Sequence, residues 1–364
     1  MNSSDIQRAI LGLGIIVVSF SLFVSLQPLP FTYAQNLTNT TQNNASDSDI
    51  YIPPTISKEA QEILKNLIGN APSFVVPSPD DLKGWQKLNQ EASTMILQMS
   101  QPIVNSYQPN ITAAKLDGIN VLDIKPKDWR DKGKVLVYVH GGGYTLLDAN
   151  STIVFAATMA NSTGLRVISI DYSLAPFSKW NQTTSEVVSV IQALKDQGYS
   201  LDDIAIFGDS AGGGLAAGAT LKMCDEGLGM PAALVLWSPW TDVTGVGDTY
   251  FTLRNDDPFL YVELDESMAS AYANPSDQKN PYVSPAYGNF DSGFPPVLIQ
   301  VGTKEGYLSD SVRLYQALDQ AKIPVKLDVY EGMPHVFQLF FQNTTESNLA
   351  ISKTSEFLRE YLGY

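Results

Sequence analysis

The 364-residue chain has few residues of the types that cross-link proteins or bind metals. It contains one cysteine, Cys224, so no disulfide bond can form within the chain. Its two histidines, His140 and His335, are too few for a histidine-rich metal site, and no cysteine or carboxylate cluster has metal-ligand spacing. We therefore expect no metal and no cofactor. Cys224 lies in an apolar helical stretch, which predicts a buried, inert thiol.

Positive charge is also scarce. Lys and Arg number 23 against 38 Asp and Glu, which gives a net charge of −15. A protein whose main function is to bind phosphate groups carries a net positive charge, so nucleic acid is excluded as a partner. The hydrophobic fraction of 44% is enough for a large core and excludes global disorder. The length fits one large α/β domain with additions, or two ordinary domains.

An apolar run of eighteen residues occupies positions 9–26. This length lies between that of a signal-peptide core and that of a full membrane span. Arg8 precedes the run and no Lys or Arg follows until Lys58, so the positive-inside rule predicts that the bulk of the chain is outside the cytoplasm. Residues 1–34 are predicted to be either a signal peptide cleaved after Ala34 or an uncleaved anchor. A secreted or membrane-anchored, extracytoplasmic protein is therefore expected.

Residues 35–55 follow as a predicted flexible linker, because most of this stretch is polar and low in complexity. The chain is also rich in Asn-x-Ser/Thr acceptor sites, which in an exported protein predict glycosylation. Eight of them follow the apolar run, at Asn36, Asn39, Asn44, Asn110, Asn150, Asn161, Asn181 and Asn343.

Apolar runs alternate with helical patterns from Val121 onward, which predicts a mostly parallel, doubly wound α/β sheet flanked by helices. Strands are expected at Val135–Val139, Arg166–Ile170, Ile204–Phe207, Ala233–Trp237, Val297–Val301 and Val325–Val329. Helices are expected at Ser151–Asn161, Thr184–Lys195, Gly213–Glu226, Ser309–Ala321 and Glu346–Tyr361. Two segments, at about 56–110 and 244–290, break this alternation. We expect them to fold together as a lid over the sheet, within one domain that covers residues 56–364.

The sequence Gly208-Asp209-Ser210-Ala211-Gly212 matches the G-x-S-x-G pattern of a serine nucleophile. The pattern alone is weak, but here it directly follows an apolar strand and precedes a helix of small residues. This is the strand–turn–helix context that the motif requires. Ser210 is therefore the predicted nucleophile.

A second glycine-rich motif, His140-Gly141-Gly142-Gly143-Tyr144, follows another apolar strand. Three consecutive glycines allow backbone N–H groups to point into one small volume, where they can stabilise an oxyanion. The backbone N–H of Ala211 would supply a further donor. His140 is expected to order this loop.

His335 lies in the loop after the last predicted strand and is the predicted general base. The chain order of nucleophile, acid and histidine is the one used by hydrolases with this arrangement. Two carboxylates follow the strand at 297–301 and are alternatives for the acid. Glu305 lies in the loop directly after the strand, whereas Asp310 lies at the start of the next helix, where it could simply cap the helix or favour its dipole.

Taken together, these motifs show that the chain resembles the hormone-sensitive lipase-like (family IV) carboxylesterases over residues 57–364. The resemblance rests on five motifs: HGGGY at 140–144, DYSLAP at 171–176, GDSAGG at 208–213, VGTKEGYLSD at 301–310 and MPHVFQLF at 333–340. It implies an α/β-hydrolase fold with a helical cap. It also implies roles for particular residues: Ser210 as nucleophile, His335 as base, Glu305 as acid, and Gly142, Gly143 and Ala211 as oxyanion-hole donors.

The chain departs from the family pattern in two places. The usual Asp-Pro-Leu of the acid loop is replaced by Glu305-Gly306-Tyr307-Leu308. The usual Arg and Glu of the DYRLAPE motif are replaced by Ser173 and Phe177, which removes an ion pair that supports this region in the family.

These observations predict an extracytoplasmic serine carboxylesterase. It would hydrolyse short- to medium-chain acyl esters of small molecules through an acyl-enzyme, without a cofactor. One alternative is a deacetylase or amidase that uses the same residues. Another is a catalytically dead hydrolase that acts as a surface binding module. Aromatic residues of the two lid segments suggest a confined apolar pocket; they are Trp85, Phe251, Phe259, Tyr261 and Tyr272.

Overall fold

The computed structural model describes residues 50–68, 76–259, 262–291 and 293–364. The predicted export segment and most of the predicted linker lie outside these described residues. Pro53 is buried and Ile52 packs beside the cluster around Met333 and Phe337, so the packed part of the chain begins a few residues before position 56. No helix within the described ranges is long and apolar enough to cross a membrane.

The described strands form an eight-stranded, mostly parallel sheet. They are β1 (Asn110–Leu116), β2 (Ile119–Lys125), β3 (Val135–Val139), β4 (Arg166–Ile170), β5 (Ile204–Asp209), β6 (Ala233–Trp237), β7 (Val297–Gly302) and β8 (Val325–Tyr330). Their order across the sheet is β1-β2-β4-β3-β5-β6-β7-β8. All six predicted strands are confirmed, although β8 is a half-exposed edge strand and not one buried on both faces.

The first two strands were not predicted from the sequence. They form an antiparallel hairpin, and β2 continues into the sheet by antiparallel pairing with β4. Most of β1 is exposed, so it lacks the apolar pattern by which a strand is recognised. A signal was nevertheless present: Asp117 and Gly118 both have positive φ, as a two-residue hairpin turn requires, and Asp-Gly is typical of such turns.

Helices cover both faces of the sheet. Side chains alternate along β3, so Val135, Val137 and Val139 belong to one hydrophobic cluster while Leu136 and Tyr138 belong to the other. The helices are α1 (Lys58–Leu67), α2 (Leu82–Tyr107), α3 (Ile153–Thr163), α4 (Trp180–Asp196), α5 (Ala211–Asp225), α6 (Thr249–Thr252), α7 (Val262–Tyr272), α8 (Leu308–Gln320), α9 (Phe337–Phe340) and α10 (Thr345–Leu362). The first cluster includes residues of α4, α5 and α8; the second includes residues of α3, α10 and the end of α2.

The two segments predicted as a lid contact each other and the loops at the carboxyl ends of the strands. Ser267 on α7 donates a hydrogen bond to the Pro77 carbonyl just before α2, at 3.3 Å. Asn89 on α2 accepts one from the Leu147 N–H in the loop after β3. These contacts support the lid prediction for α2 and α7. In contrast, α1 packs through Ala60 and Leu64 against the region around Met333 and Phe337.

The structure revises what the sequence predicts at Cys224 and Ser173. Cys224 is half-buried at the end of α5 and its thiol lies 3.8 Å from a carboxylate oxygen of Asp291, so the prediction of a buried cysteine was wrong. Ser173, which replaces the family arginine, donates to Glu186 through both its N–H and its hydroxyl, each at 2.7 Å. Ser173 and Glu186 therefore form a hydrogen-bonded pair in this region.

Candidate active site

Ser210 lies in the tight turn between β5 and α5, with φ of 53° and ψ of −127°. A non-glycine residue adopts this conformation only when its surroundings hold it there. Here the Ser210 N–H donates to the Trp237 carbonyl and its carbonyl accepts from the Trp240 N–H, both at 2.9 Å. A Cβ on Gly212 would overlap the Val139 carbonyl oxygen, so only glycine allows α5 to pack this closely on the end of β3.

The three residues predicted to act in catalysis form a continuous hydrogen-bonded row. His335 Nε2 lies 2.9 Å from Ser210 Oγ, and His335 Nδ1 lies 2.9 Å from Glu305 Oε2. Ser210 and His335 retain 9% and 7% of their exposure, whereas Glu305 is fully buried. The row therefore runs from a serine at the surface of the site to a carboxylate that water does not reach.

The Glu305 carboxylate is fixed by two further donors. Its Oε1 accepts from the Gly302 N–H at 2.6 Å and from the Ser238 hydroxyl at 2.8 Å. The Ser238 oxygen in turn accepts from the Val336 N–H at 3.0 Å, so one side chain connects the acid to the histidine loop. Ser238 was not predicted from the sequence, although it directly follows β6, whose carboxyl end lies beside that of β7.

Asp310, the alternative acid, points elsewhere. Its Oδ2 accepts from the N–H groups of Thr241 and Asp242, each at 2.8 Å, and the residue is fully buried. The N-cap of α8 is Tyr307, so Asp310 does not cap the helix, but it lies in the first turn, where a carboxylate favours the helix dipole. Asp310 holds the loop after β6 against α8, and the structure places Glu305 against His335.

Carboxylates on three elements shape the electrostatics of His335. Burial disfavours the imidazolium, but the hydrogen bond with Glu305 and the negative charges of Glu305, Asp257 and Asp209 outweigh it and raise the pKa of His335. Burial likewise raises the pKa of Asp257 to about 7 and that of Asp209 to about 6. An imidazole with a raised pKa is a stronger base for the serine proton.

The glycine loop after β3 lies against the nucleophile. A Cβ on Gly141 would be 3.1 Å from Ser210 Cβ, which places the loop in contact with the serine. Gly142 and Gly143 have φ of 111° and 61°, a region that side chains disfavour. Asp209 stabilises the loop by accepting from the Gly141 N–H at 3.1 Å and from the Tyr138 hydroxyl at 2.6 Å.

Ala211 is the first residue of α5, so its N–H has no partner within the helix and lies at the positive end of the helix dipole. His140 is fully buried and stacks on Tyr172 with ring centroids 4.1 Å apart. Its Nδ1 lies 2.8 Å from the Gly141 carbonyl. These contacts support a role for His140 in ordering the loop.

The predicted pocket aromatics have different positions. Trp85 and Tyr272 are fully buried and Tyr272 stacks on Tyr144 at 3.7 Å, whereas Phe251 is 66% exposed and does not belong to a confined pocket. Phe259 packs on Phe340. Tyr261 lies outside the described residues.

A residue that the sequence analysis missed lies closer to the chemistry: Met268 on α7. A Cβ on Gly143 would overlap its sulfur, so Met268 covers the glycine loop. In the part of the chain that the structure describes, no group of three or more His, Cys, Asp or Glu side chains could hold a metal ion.

A serine at a strained strand–helix turn, a histidine and a buried carboxylate meet at the carboxyl ends of parallel strands, beside a glycine loop. This arrangement defines a serine hydrolase of the α/β-hydrolase class. A family model described as alpha/beta hydrolase fold matches residues 136–339.

Proteins of similar sequence or structure identify the kind of α/β-hydrolase more closely. An esterase of Acinetobacter venetianus is 32% identical over 248 residues, which are 68% of this chain and 81% of the relative. An acetyl-hydrolase of Streptomyces hygroscopicus is 32% identical over 234 residues, 64% of this chain and 78% of the relative. The crystal structure of an esterase from the bacterial hormone-sensitive lipase family superposes with a TM-score of 0.74 at 30% identity, covering 84% of this chain and 99% of that one.

The chain belongs to the hormone-sensitive lipase-like, family IV carboxylesterases. It is a carboxylic ester hydrolase. The resemblance seen in the five sequence motifs and the predicted fold class are both confirmed.

Proposed function

We propose that the protein hydrolyses short- to medium-chain acyl esters through a Ser210-His335-Glu305 triad. The observation that carries this proposal is the hydrogen-bonded row from Ser210 Oγ through His335 to Glu305. Ser210 attacks the ester carbonyl while His335 Nε2 takes its proton. The protonated His335 then returns that proton to the leaving alcohol, and an acyl-enzyme forms. Water, deprotonated by His335, releases the acid and regenerates the serine.

Glu305 orients the imidazole and stabilises its charged form. The backbone N–H groups of Gly142, Gly143 and Ala211 stabilise the oxyanion of the tetrahedral intermediate. One such donor lowers the barrier by about 3 kcal/mol. The intact row of hydrogen bonds argues against a non-catalytic binding module.

The acyl preference follows from Met268 and Tyr307. Met268 covers Gly143, and Tyr307 meets the His335 ring edge-on at 5.1 Å, so bulky groups border the reacting centre on two sides. Such a site accepts acetyl to medium-length acyl groups more readily than long chains.

The direct test is a series of p-nitrophenyl esters from acetate to laurate, assayed with the intact protein and with Ser210→Ala. We expect kcat/KM to peak at short or medium chains and the variant to lose at least about a thousandfold in kcat. Ser185→Ala, which removes an exposed serine on α4, is the matched control and should keep full activity. Activity of Ser210→Ala within twofold of the control would remove Ser210 as the nucleophile.

A second candidate function is the removal of acetyl groups from a polar, hydroxyl-rich alcohol such as a sugar. The observation in its favour is a cavity of about 440 Å³ between α2 and the loop after Tyr144. Its lining is mixed. The polar side chains are Gln86, Asn89, Gln90, Ser93, Thr94, Thr145, Asp148, Asn150 and Ser151, and the apolar ones are Trp85, Leu97, Leu174 and Phe177. Higher kcat/KM on acetylated xylose than on ethyl acetate, whose alcohol is similarly unactivated, would favour this candidate; the reverse order would favour the first. An amide panel tests amidase activity in the same assay.

We also propose that the hydrolase acts outside the cytoplasm, secreted or held by residues 9–26. The apolar run with Arg8 before it and no cation before Lys58 supports this location. Protease added to intact cells should degrade the hydrolase domain, whereas full protection until lysis would contradict the proposal. A mass shift on glycosidase treatment would test glycosylation at the acceptor asparagines.

A further inference from the structure

Asp257 is a second carboxylate that holds the histidine loop. Its Oδ2 accepts from the backbone N–H of His335 at 2.8 Å, across 78 residues of sequence. Its Oδ1 accepts from the Phe259 N–H, also at 2.8 Å. The side chain is only 7% exposed. Asp257 belongs to the segment between β6 and β7, so it connects the predicted lid to the base of the proposed triad.

The position of Asp257 also places its charge beside the imidazole. The groups that face His335 are Glu305 from the loop after β7, Asp209 from the end of β5, Asp257, and the ring edge of Tyr307. A negative charge at Asp257 therefore adds to that of Glu305 and favours the imidazolium over the neutral ring.

We propose that Asp257 is a positioning residue for the esterase reaction, which fixes the His335 backbone and stabilises the imidazolium through its charge. The inference rests on the proposed function, because it requires His335 to act as general base. It adds a group that acts through His335 and does not touch substrate. Glu305 fixes the ring from one side and Asp257 fixes the main chain from the other.

The test compares the pH dependence of kcat/KM for the full chain and three variants. Asp257→Asn removes the charge but keeps one backbone acceptor, and Asp257→Glu keeps the charge. Asp256→Asn is the matched control, since it removes the neighbouring charge that pairs with Lys304. Loss of the charge at Asp257 lowers the pKa of His335, so the base stays neutral to lower pH.

We expect the ratio of kcat/KM at pH 7.0 to that at pH 8.5 to rise about twofold in Asp257→Asn, because Asp257, with a pKa of about 7, is only about half ionised at the lower pH. The ratio should stay at the unaltered value in Asp257→Glu and in Asp256→Asn. Thermal unfolding followed by circular dichroism shows that each variant is folded. A lower kcat at pH 8.5 with an unchanged ratio would mean a purely structural role and would overturn the proposal. Absence of any acid limb in the unaltered protein would instead contradict the proposed function, and this inference with it.

Discussion

Replacement of Glu305 by Gln tests the assignment of the acid, because the structure dictates how the amide must lie. The two donors on Oε1, from Gly302 and Ser238, require an oxygen at that position. The amide nitrogen is then directed at His335 Nδ1, which has to become an acceptor. The imidazole proton moves to Nε2, where it faces Ser210 Oγ and blocks proton transfer.

The expected loss in kcat is about 10²–10⁴-fold, by analogy with the same change in serine proteases. This corresponds to about 3–5 kcal/mol of transition-state stabilisation. KM should change little, since Glu305 is fully buried and does not meet the substrate. Hydrolysis of p-nitrophenyl butyrate under saturating conditions measures both constants.

Asp310→Asn is the matched control for Glu305→Gln. Asp310 is equally buried, but its Oδ2 contacts the N–H groups of Thr241 and Asp242 and not the histidine. An amide oxygen can accept both bonds, so kcat should stay within about threefold of the unaltered value. A large loss in Asp310→Asn beside a near-normal Glu305→Gln would refute the assignment of the acid.

Three further predictions concern the pH dependence, the acyl preference and the support of the acid. The pKa of His335 is raised and the base must be neutral, so kcat/KM should fall with decreasing pH through a midpoint above about 6.5; a flat profile from pH 5 to 8, with chemistry limiting, would contradict this. Met268→Ala opens space above Gly143, so the kcat/KM ratio of p-nitrophenyl octanoate to acetate should rise about tenfold, and an unchanged ratio would exclude Met268 from acyl selection. Ser238→Ala removes a hydrogen bond to Glu305 Oε1 and should lower kcat for p-nitrophenyl acetate about tenfold. Full activity would show that the Gly302 N–H alone holds Glu305 in place.

Local sequence was sufficient to predict the strand–turn–helix at Ser210 and most of the sheet around it. The turn at Ser210 needs small residues on both sides, and the six predicted strands are apolar runs bounded by turns or helices. Buried parallel strands carry this pattern because both of their faces pack against helices. The hairpin of β1 and β2 was missed because one of its strands is largely exposed.

Contacts between distant segments were harder to predict. Asp257 reaches His335 across 78 residues and Ser238 reaches Val336 across 98. Asp257 lies in an irregular segment without periodicity, so nothing local indicates where its carboxylate points. Met268 belongs to a short helix that the sequence places in the lid, but its contact with Gly143 depends on how that helix packs.

The choice between Glu305 and Asp310 also needed three-dimensional information. Both follow β7 within a few residues, and both are fully buried. The direction of each side chain depends on the path of the loop before α8, which the Gly302 N–H and the Ser238 hydroxyl fix.

Covalent labelling with diethyl p-nitrophenyl phosphate tests the central claim most directly. The phosphate ester mimics the tetrahedral intermediate and leaves a stable diethylphosphoryl group on an activated serine. Mass spectrometry of the intact protein should show one adduct, formed in step with the loss of esterase activity, and peptide mapping should place it on Ser210. The Ser210→Ala variant should remain unlabelled. An adduct on another residue, or complete inactivation without modification of Ser210, would contradict the account.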